Sequence, residues 1–234
     1  MEVLRGIPFR PDLDALLSRL HIAKGSQDAR DFQALLDEVT SVARPKAAYE
    51  VSYVEDRRED TVTVGGVVFT SPVLRANLDG VERVFPHVAT CGTELDEVPV
   101  GDDDLMRSFW LDTIKETALQ AARTFLEGHL QQQHAPGQLS KISPGAGPTY
   151  LWPIQQQRQL FSLLHGVEKQ IGVRLTDSLL MIPTKSVSGI YFPTEVRFEA
   201  CRLCPREKCP GRHAPYDSKL SQSYHEANRQ QFRR

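Results

Sequence analysis

Three of the chain's four cysteines fall within nine residues, as Cys201-x2-Cys204-x4-Cys209, with Arg212 and His213 close behind. Two thiolates three positions apart can converge on one soft metal ion, and a third beyond a short Pro-bearing turn can complete most of a shell. Zinc takes four ligands, and His213 or Cys91 is available as the last. An iron-sulfur cluster is equally permitted, because its common forms are also held by cysteine thiolates. The spacing is not one of the two-pair zinc patterns, so free thiols and a redox disulfide stay open. Arg206, Lys208, Arg212 and His213 surround the cysteines with positive charge. Such charge stabilises thiolates and raises a cluster's potential, although a solvated basic surface has the same composition. Cys91 stands apart in sequence, and a small buried residue at a strand end is the plain alternative to a ligand role there.

Other chemistries find less support. No Ser, His and Asp set forms a recognisable local motif, so nucleophilic hydrolysis is not indicated. A formal net charge of -2 gives no reason to expect nucleic acid or an anionic membrane as partner. Nowhere do about 18 consecutive apolar residues occur, which argues against a membrane span. The start, MEVLRGIPFRPDLDALL, breaks its apolar residues with Arg, Pro and Asp and so lacks the core of a secretory signal. The expected location is the cytoplasm, where cysteines serve as thiols or metal ligands more readily than as structural disulfides.

The elements that must position these groups are legible in outline. With 234 residues, 40% apolar and 25% charged, the chain can bury a substantial core. Leu13, Leu16, Leu17 and Leu20 share one helical face, and Phe32, Leu35, Leu36, Val39 and Val42 repeat that spacing until Pro45 closes the run. AAYEVSYV, TVTVGGVVF and ERVFPHVATC follow as strands, with Gly65-Gly66 marking a turn or bulge. A long helix begins at Asp102, Asp103 and Asp104, whose charges offset the positive end of its dipole. Its expected apolar stripe is Leu105, Phe109, Ile114, Ala118, Ala121 and Phe125, and it ends between Gln131 and Gly137. The run SPGAGPTYLWP, residues 143–153, must be a loop, and a helix over 154–169 follows it. GIYFPTEVRFEA reads as a strand whose Pro belongs at an edge or bulge. Helices flanking non-alternating strands give an α+β class: a single domain with a twisted, largely antiparallel sheet flanked by helices, over residues 1–200, with residues 201–234 as a cysteine-containing C-terminal extension.

The stretch from Ile171 to Phe192, IGVRLTDSLLMIPTKSVSGIYF, carries a longer signal. Its Ile-Gly-x-x-Leu-Thr-x-Ser opening, central Met and Pro, and Ser-Val-Ser-Gly-x-Tyr-Phe close resemble the activation domain of cobalamin-dependent methionine synthase. The resemblance runs with falling strength from about Ala47 to Phe192, and includes the SPG turn with Trp152-Pro153 downstream. It implies a methionine synthase activation domain-like fold that binds S-adenosylmethionine. It also implies reductive reactivation of cob(II)alamin by a donor's electron and the ligand's methyl group. The chain carries no methyltransferase or cobalamin-binding module. It would therefore act in trans on cobalamin presented by a partner protein: a corrinoid methyltransferase, or a methionine synthase lacking its own activation domain. A flavodoxin or ferredoxin would be the donor.

The family holds its ligand with an Arg-x-x-x-Gly-Tyr-Pro motif and a Glu on the preceding helix. The corresponding residues here are Lys141, Gly145 and Ala146, with Gln120 in place of the Glu. Lys141 can pair with the ligand carboxylate as a point charge, without a bidentate fork, and Gln120 can accept from the ligand amine. Tyr191 matches the family's Tyr and is a candidate lining residue, as are Ser186 and Ser188 beside Gly189; a core aromatic and a self-satisfied turn are the structural alternatives. The cysteine tail has no counterpart in that domain, which leaves two further readings. One is an iron-sulfur electron-transfer activator of a corrinoid protein that does without S-adenosylmethionine. The other is a zinc-stabilised, non-catalytic docking module.

Overall fold

The computed structural model describes residues 1–101, 103–148, 151–209, 212 and 214–231, with backbone alone from residue 225 onward. Asp102 and His213 therefore lie outside the described residues. Short polar caps start the helices where the apolar periodicity begins. Asp12 caps α1 (Leu13–Arg19) and Ser26 caps α2 (Gln27–Val42), each accepting from the amide three residues on. After strand β1 (Glu2–Leu4) and these helices come β2 (Lys46–Tyr49), β3 (Ser52–Arg57), β4 (Thr61–Val64) and β5 (Val67–Thr70). The single strand expected over AAYEVSYV is thus two, which run one after the other along the same edge of β6 (Arg83–Thr90). Gly65 and Gly66 both take positive φ and join β4 to β5 as a tight hairpin, Val64 facing Val67. Helix α3 (Pro72–Asn77) precedes β6.

Helix α4 (Leu105–Gln133) is capped by Asp104, which accepts from the amide of Arg107 at 2.8 Å. Its buried face differs from the expected stripe. Ile114 and Ala118 are buried as expected, but their companions are Leu111, Ala122, Leu126 and Leu130, while Leu105, Phe109 and Phe125 are exposed. The expected set took a five-residue step from Phe109 to Ile114, whereas steps of three and four from Leu111 onward stay on one face. Ala118 and Ala122 let α4 lie close on the sheet.

The remaining elements are β7 (Leu139–Ile142), α5 (Gln157–Ser162), α6 (Val167–Ile171), β8 (Arg174–Leu175), β9 (Met181–Ile182), β10 (Ser186–Pro193) and α7 (Ser218–Gln231). The helix expected over 154–169 is broken, because Gly166 enters the left-handed region between α5 and α6. Strand β10 is not an edge: it pairs with β6 on one side and β7 on the other, and its Pro193 sits at its end. Gly189 in β10 is required by close approach, since a Cβ there would lie 2.6 Å from the carbonyl oxygen of Ile142.

Among the described residues, eight strands form one sheet in which every pairing is antiparallel, with β6 at its centre. One face packs Tyr49, Phe85 and Tyr191 against α1, α2 and α4. The other packs Val84, Ile190 and Phe192 against α3, α5 and Trp152, and Ala48 and Val88 against α6. Leu203, within the segment set apart in the sequence, is fully buried in that second core, and Leu220 and Tyr224 of α7 pack against it. The architecture is a single α+β domain with an antiparallel sheet between helices. No helix among the described residues is long and apolar enough to cross a membrane.

Candidate functional site

A cavity of about 910 Å³ opens where α4 passes the outer strand β7. Spacing of four, three and four along α4 turns Glu116, Gln120, Arg123 and Glu127 to one side of the helix, opposite its buried stripe, and all four line this cavity. Lys141 and Ser143 enter from β7 and the turn after it, with Ala146, Leu151 and Trp152 beyond. The segment from Arg197 to Cys201 closes another side, tied down by the amide of Phe198 donating to Ser140 Oγ at 2.7 Å.

Lys141 faces Tyr191 in the β7–β10 register, and its Nζ stands 5.8 Å from the ring centroid. Burial, reinforced by the charge of Arg123, brings the Lys141 ammonium down to about 8. Tyr191, expected to line the site, is 1% exposed and is not part of the cavity lining; it lies beneath Lys141. Its hydroxyl points toward Glu127 Oε2 at a long 3.5 Å, and burial first, then the Glu127 charge, push its ionisation up. On its other side His87 stacks with ring centroids 4.4 Å apart, and enclosure lowers the imidazole to about 3, so it is neutral. Arg197 contacts Glu199 at 3.4 Å and Glu127 at 3.8 Å.

Gln120, Lys141 and Ala146, drawn from separate places in the sequence, thus line one cavity. Gly145 takes a backbone part: its φ is +74°, its amide donates to the Trp152 carbonyl at 2.8 Å, and a Cβ would strike Ile154. Ser186 and Ser188 are not brought to the cavity. Strand alternation turns them to the face opposite Tyr191, where Ser186 donates to Pro183 O and shares a second hydrogen bond with the Thr90 hydroxyl, and Ser188 accepts from Gln157. Arg123 and Glu127 were missed from sequence, although their spacing from Gln120 along the helix was readable.

The cysteines do not assemble as expected. None of the four is in a disulfide, and among the described residues no group of three or more His, Cys, Asp or Glu side chains could hold a metal ion. Cys91 lies enclosed in the first core, its thiol raised to about 11 by burial, across the sheet from Leu203. Only Cys201 reaches the cavity wall. The loop is gathered instead around the Arg212 guanidinium, which donates to the carbonyls of Cys201 at 3.1 Å, Cys204 at 2.9 Å and Ala214 at 3.0 Å, and to that of Arg206. The guanidinium engages backbone carbonyls and not the thiols of Cys201, Cys204 and Cys209.

Residues 131–204 match the family described as "Vitamin B12 dependent methionine synthase, activation domain". That span includes Lys141, Ala146 and Tyr191 and leaves out Gln120, Arg123 and Glu127. Among solved structures, the fold is similar to that in "Crystal Structure of the MetH Reactivation Domain bound to AdoHcy", with a TM-score of 0.55 at 16% identity over 86% of this chain and 81% of the other. No curated protein matches.

Proposed function

We propose that the chain binds S-adenosylmethionine in the cavity between α4 and β7 and supports reductive reactivation of a corrinoid enzyme in trans. The partner is a corrinoid methyltransferase, or a methionine synthase lacking its own activation domain. The observation that carries this reading is the convergence of Gln120, Lys141 and Ala146 on one cavity. Its chemistry suits the ligand: Ile142, Leu151 and Trp152 offer an apolar wall for a nucleoside, and charges of both signs offer partners for an amino-acid end.

One electron from a flavodoxin or ferredoxin reduces the partner's cob(II)alamin, and the sulfonium methyl then passes to cobalt, leaving methylcobalamin and S-adenosylhomocysteine. Methylation pulls an unfavourable reduction forward. The task of this chain's residues is orientation, holding the sulfonium so that its methyl points at the partner's cobalt. In this reading the electron comes from an external donor, and this chain's residues need carry no redox group. The cytoplasm, where such donors work, is the location this reading implies.

The test is to mix a cob(II)alamin-loaded methionine synthase stripped of its activation domain with donor, S-adenosylmethionine and this chain. Methylcobalamin absorbance should appear only when all are present. Formation at the same rate without the chain would refute the role.

A further inference from the structure

Two cations face the cavity without a carboxylate in direct contact, although Glu127 and Glu199 act on Lys141 from farther off. Among the described residues, neither Arg123 nor Lys141 makes a hydrogen bond or ion pair with a carboxylate, although each lines the same space. They disfavour one another, because the Arg123 charge is among the causes that weaken the Lys141 ammonium. Half-buried like charges with no directly bonded partner are costly, and an anion between them relieves both. Glu127, one turn beyond Arg123, is held only loosely: Arg197 stands 3.8 Å away and the Tyr191 hydroxyl 3.5 Å. Gln120 already donates to Thr124 Oγ1 at 3.2 Å.

We propose that Arg123 and Lys141 together hold the carboxylate of the ligand's amino-acid end, Arg123 supplying the planar fork that Lys141 lacks, while Glu127 receives the ligand's ammonium. This rests on the S-adenosylmethionine reading above. Relative to the family pattern, the guanidinium has moved from β7 to α4 and the carboxylate has moved about two turns along α4. The guanidinium comes from position 123 rather than 141, and the carboxylate from 127 rather than 120. A point charge and a fork from two elements grip one carboxylate with more geometric definition than either alone.

The full chain is titrated calorimetrically with S-adenosylhomocysteine and with methylthioadenosine, which keeps the nucleoside and sulfur but lacks the amino-acid end. Arg123→Gln should weaken S-adenosylhomocysteine by about 10- to 100-fold, as expected for a lost charge-assisted pair, and leave methylthioadenosine unchanged. Adding Lys141→Arg to Arg123→Gln should restore part of the loss. Glu127→Gln should likewise affect only the ligand with an ammonium. The inference is overturned if Arg123→Gln binds S-adenosylhomocysteine as the parent does. It is also overturned if the variant loses both ligands equally at an unchanged thermal midpoint. A parent chain that binds neither ligand refutes the underlying function, and a parent that binds both with an indifferent Arg123 refutes this inference alone.

Discussion

Lys141 lies over Tyr191, its ammonium 5.8 Å from the ring centroid, and the far side of that ring is covered by His87. Three strands thereby contribute one stacked column, β7 supplying the cation, β10 the phenol and β6 the imidazole. The column puts a titratable group at the cavity floor and another sealed beneath it. Their pH responses are therefore separable.

Lys141 should couple ligand binding to pH. Below about 8 it is charged in the folded protein. A bound carboxylate stabilises that charge, so affinity should be level below about pH 8 and fall as pH rises through it. The stability effect has the opposite sense. Between about 8 and the ordinary value of 10.5 the unfolded chain holds a proton that the folded chain has lost, so stability rises with pH there. At pH 7 the buried charge is a cost. Lys141→Met should accordingly raise the thermal midpoint at pH 7 while abolishing S-adenosylhomocysteine binding. A variant that loses stability along with binding would contradict this.

His87 should report acid lability. Its folded value of about 3 lies well below the ordinary 6.5, so stability is full above pH 6.5 and declines toward pH 3 as the unfolded chain takes up the proton. For one proton the slope cannot exceed about 1.4 kcal/mol per pH unit. In an NMR titration the His87 ring signal should stay at its neutral position from pH 7 to pH 4. A midpoint near 6.5 would show that the ring is not sealed under Tyr191.

Tyr49 should anchor the N-terminal strand. Its buried hydroxyl meets Glu2 and the Nε2 atoms of His129 and His134, at 3.0 and 2.8 Å for the two imidazoles. One proton and two lone pairs satisfy all three partners, and the Tyr49 bond is the chief cause that lowers the Glu2 carboxyl. Tyr49→Phe should cost about 1–3 kcal/mol in urea unfolding and speed amide exchange at residues 2–4. Unchanged exchange there would mean that β1 is held by its ladder to β2 alone.

The cysteine loop should not depend on a metal. Its carbonyls converge on Arg212, so thermal midpoints with and without a strong chelator should coincide. Arg212→Met should speed thiol labelling of Cys201, Cys204 and Cys209. A chelator-sensitive midpoint would put a cation in the loop after all.

What was legible in the sequence follows from how locally each feature is determined. The SPG turn and the block ending at Phe192 carried Lys141, Ala146 and Tyr191, because turn glycines and strand aromatics leave local marks. Gln120 came with the helix. The face that α4 buries is set by its fit to the sheet, and a misjudged step at Phe109 both exposed Leu105 and hid the polar row of Arg123 and Glu127. Ser186 and Ser188 looked like site residues by adjacency to Gly189, but a strand's two-residue period sends them to the other face. The cysteine spacing permitted a metal shell, and only the long-range placement of Arg212 shows that the backbone carbonyls of Cys201 and Cys204 are gathered by a guanidinium. Strands as short as β7, with four residues, lack a pattern long enough to read.

The central claim is that the cavity between α4 and β7 receives S-adenosylmethionine. Its most direct test is isothermal titration of the intact chain with that ligand, repeated with Lys141→Met. Saturable one-to-one binding that the variant loses is expected. No heat at millimolar ligand, or binding indifferent to Lys141, would contradict it.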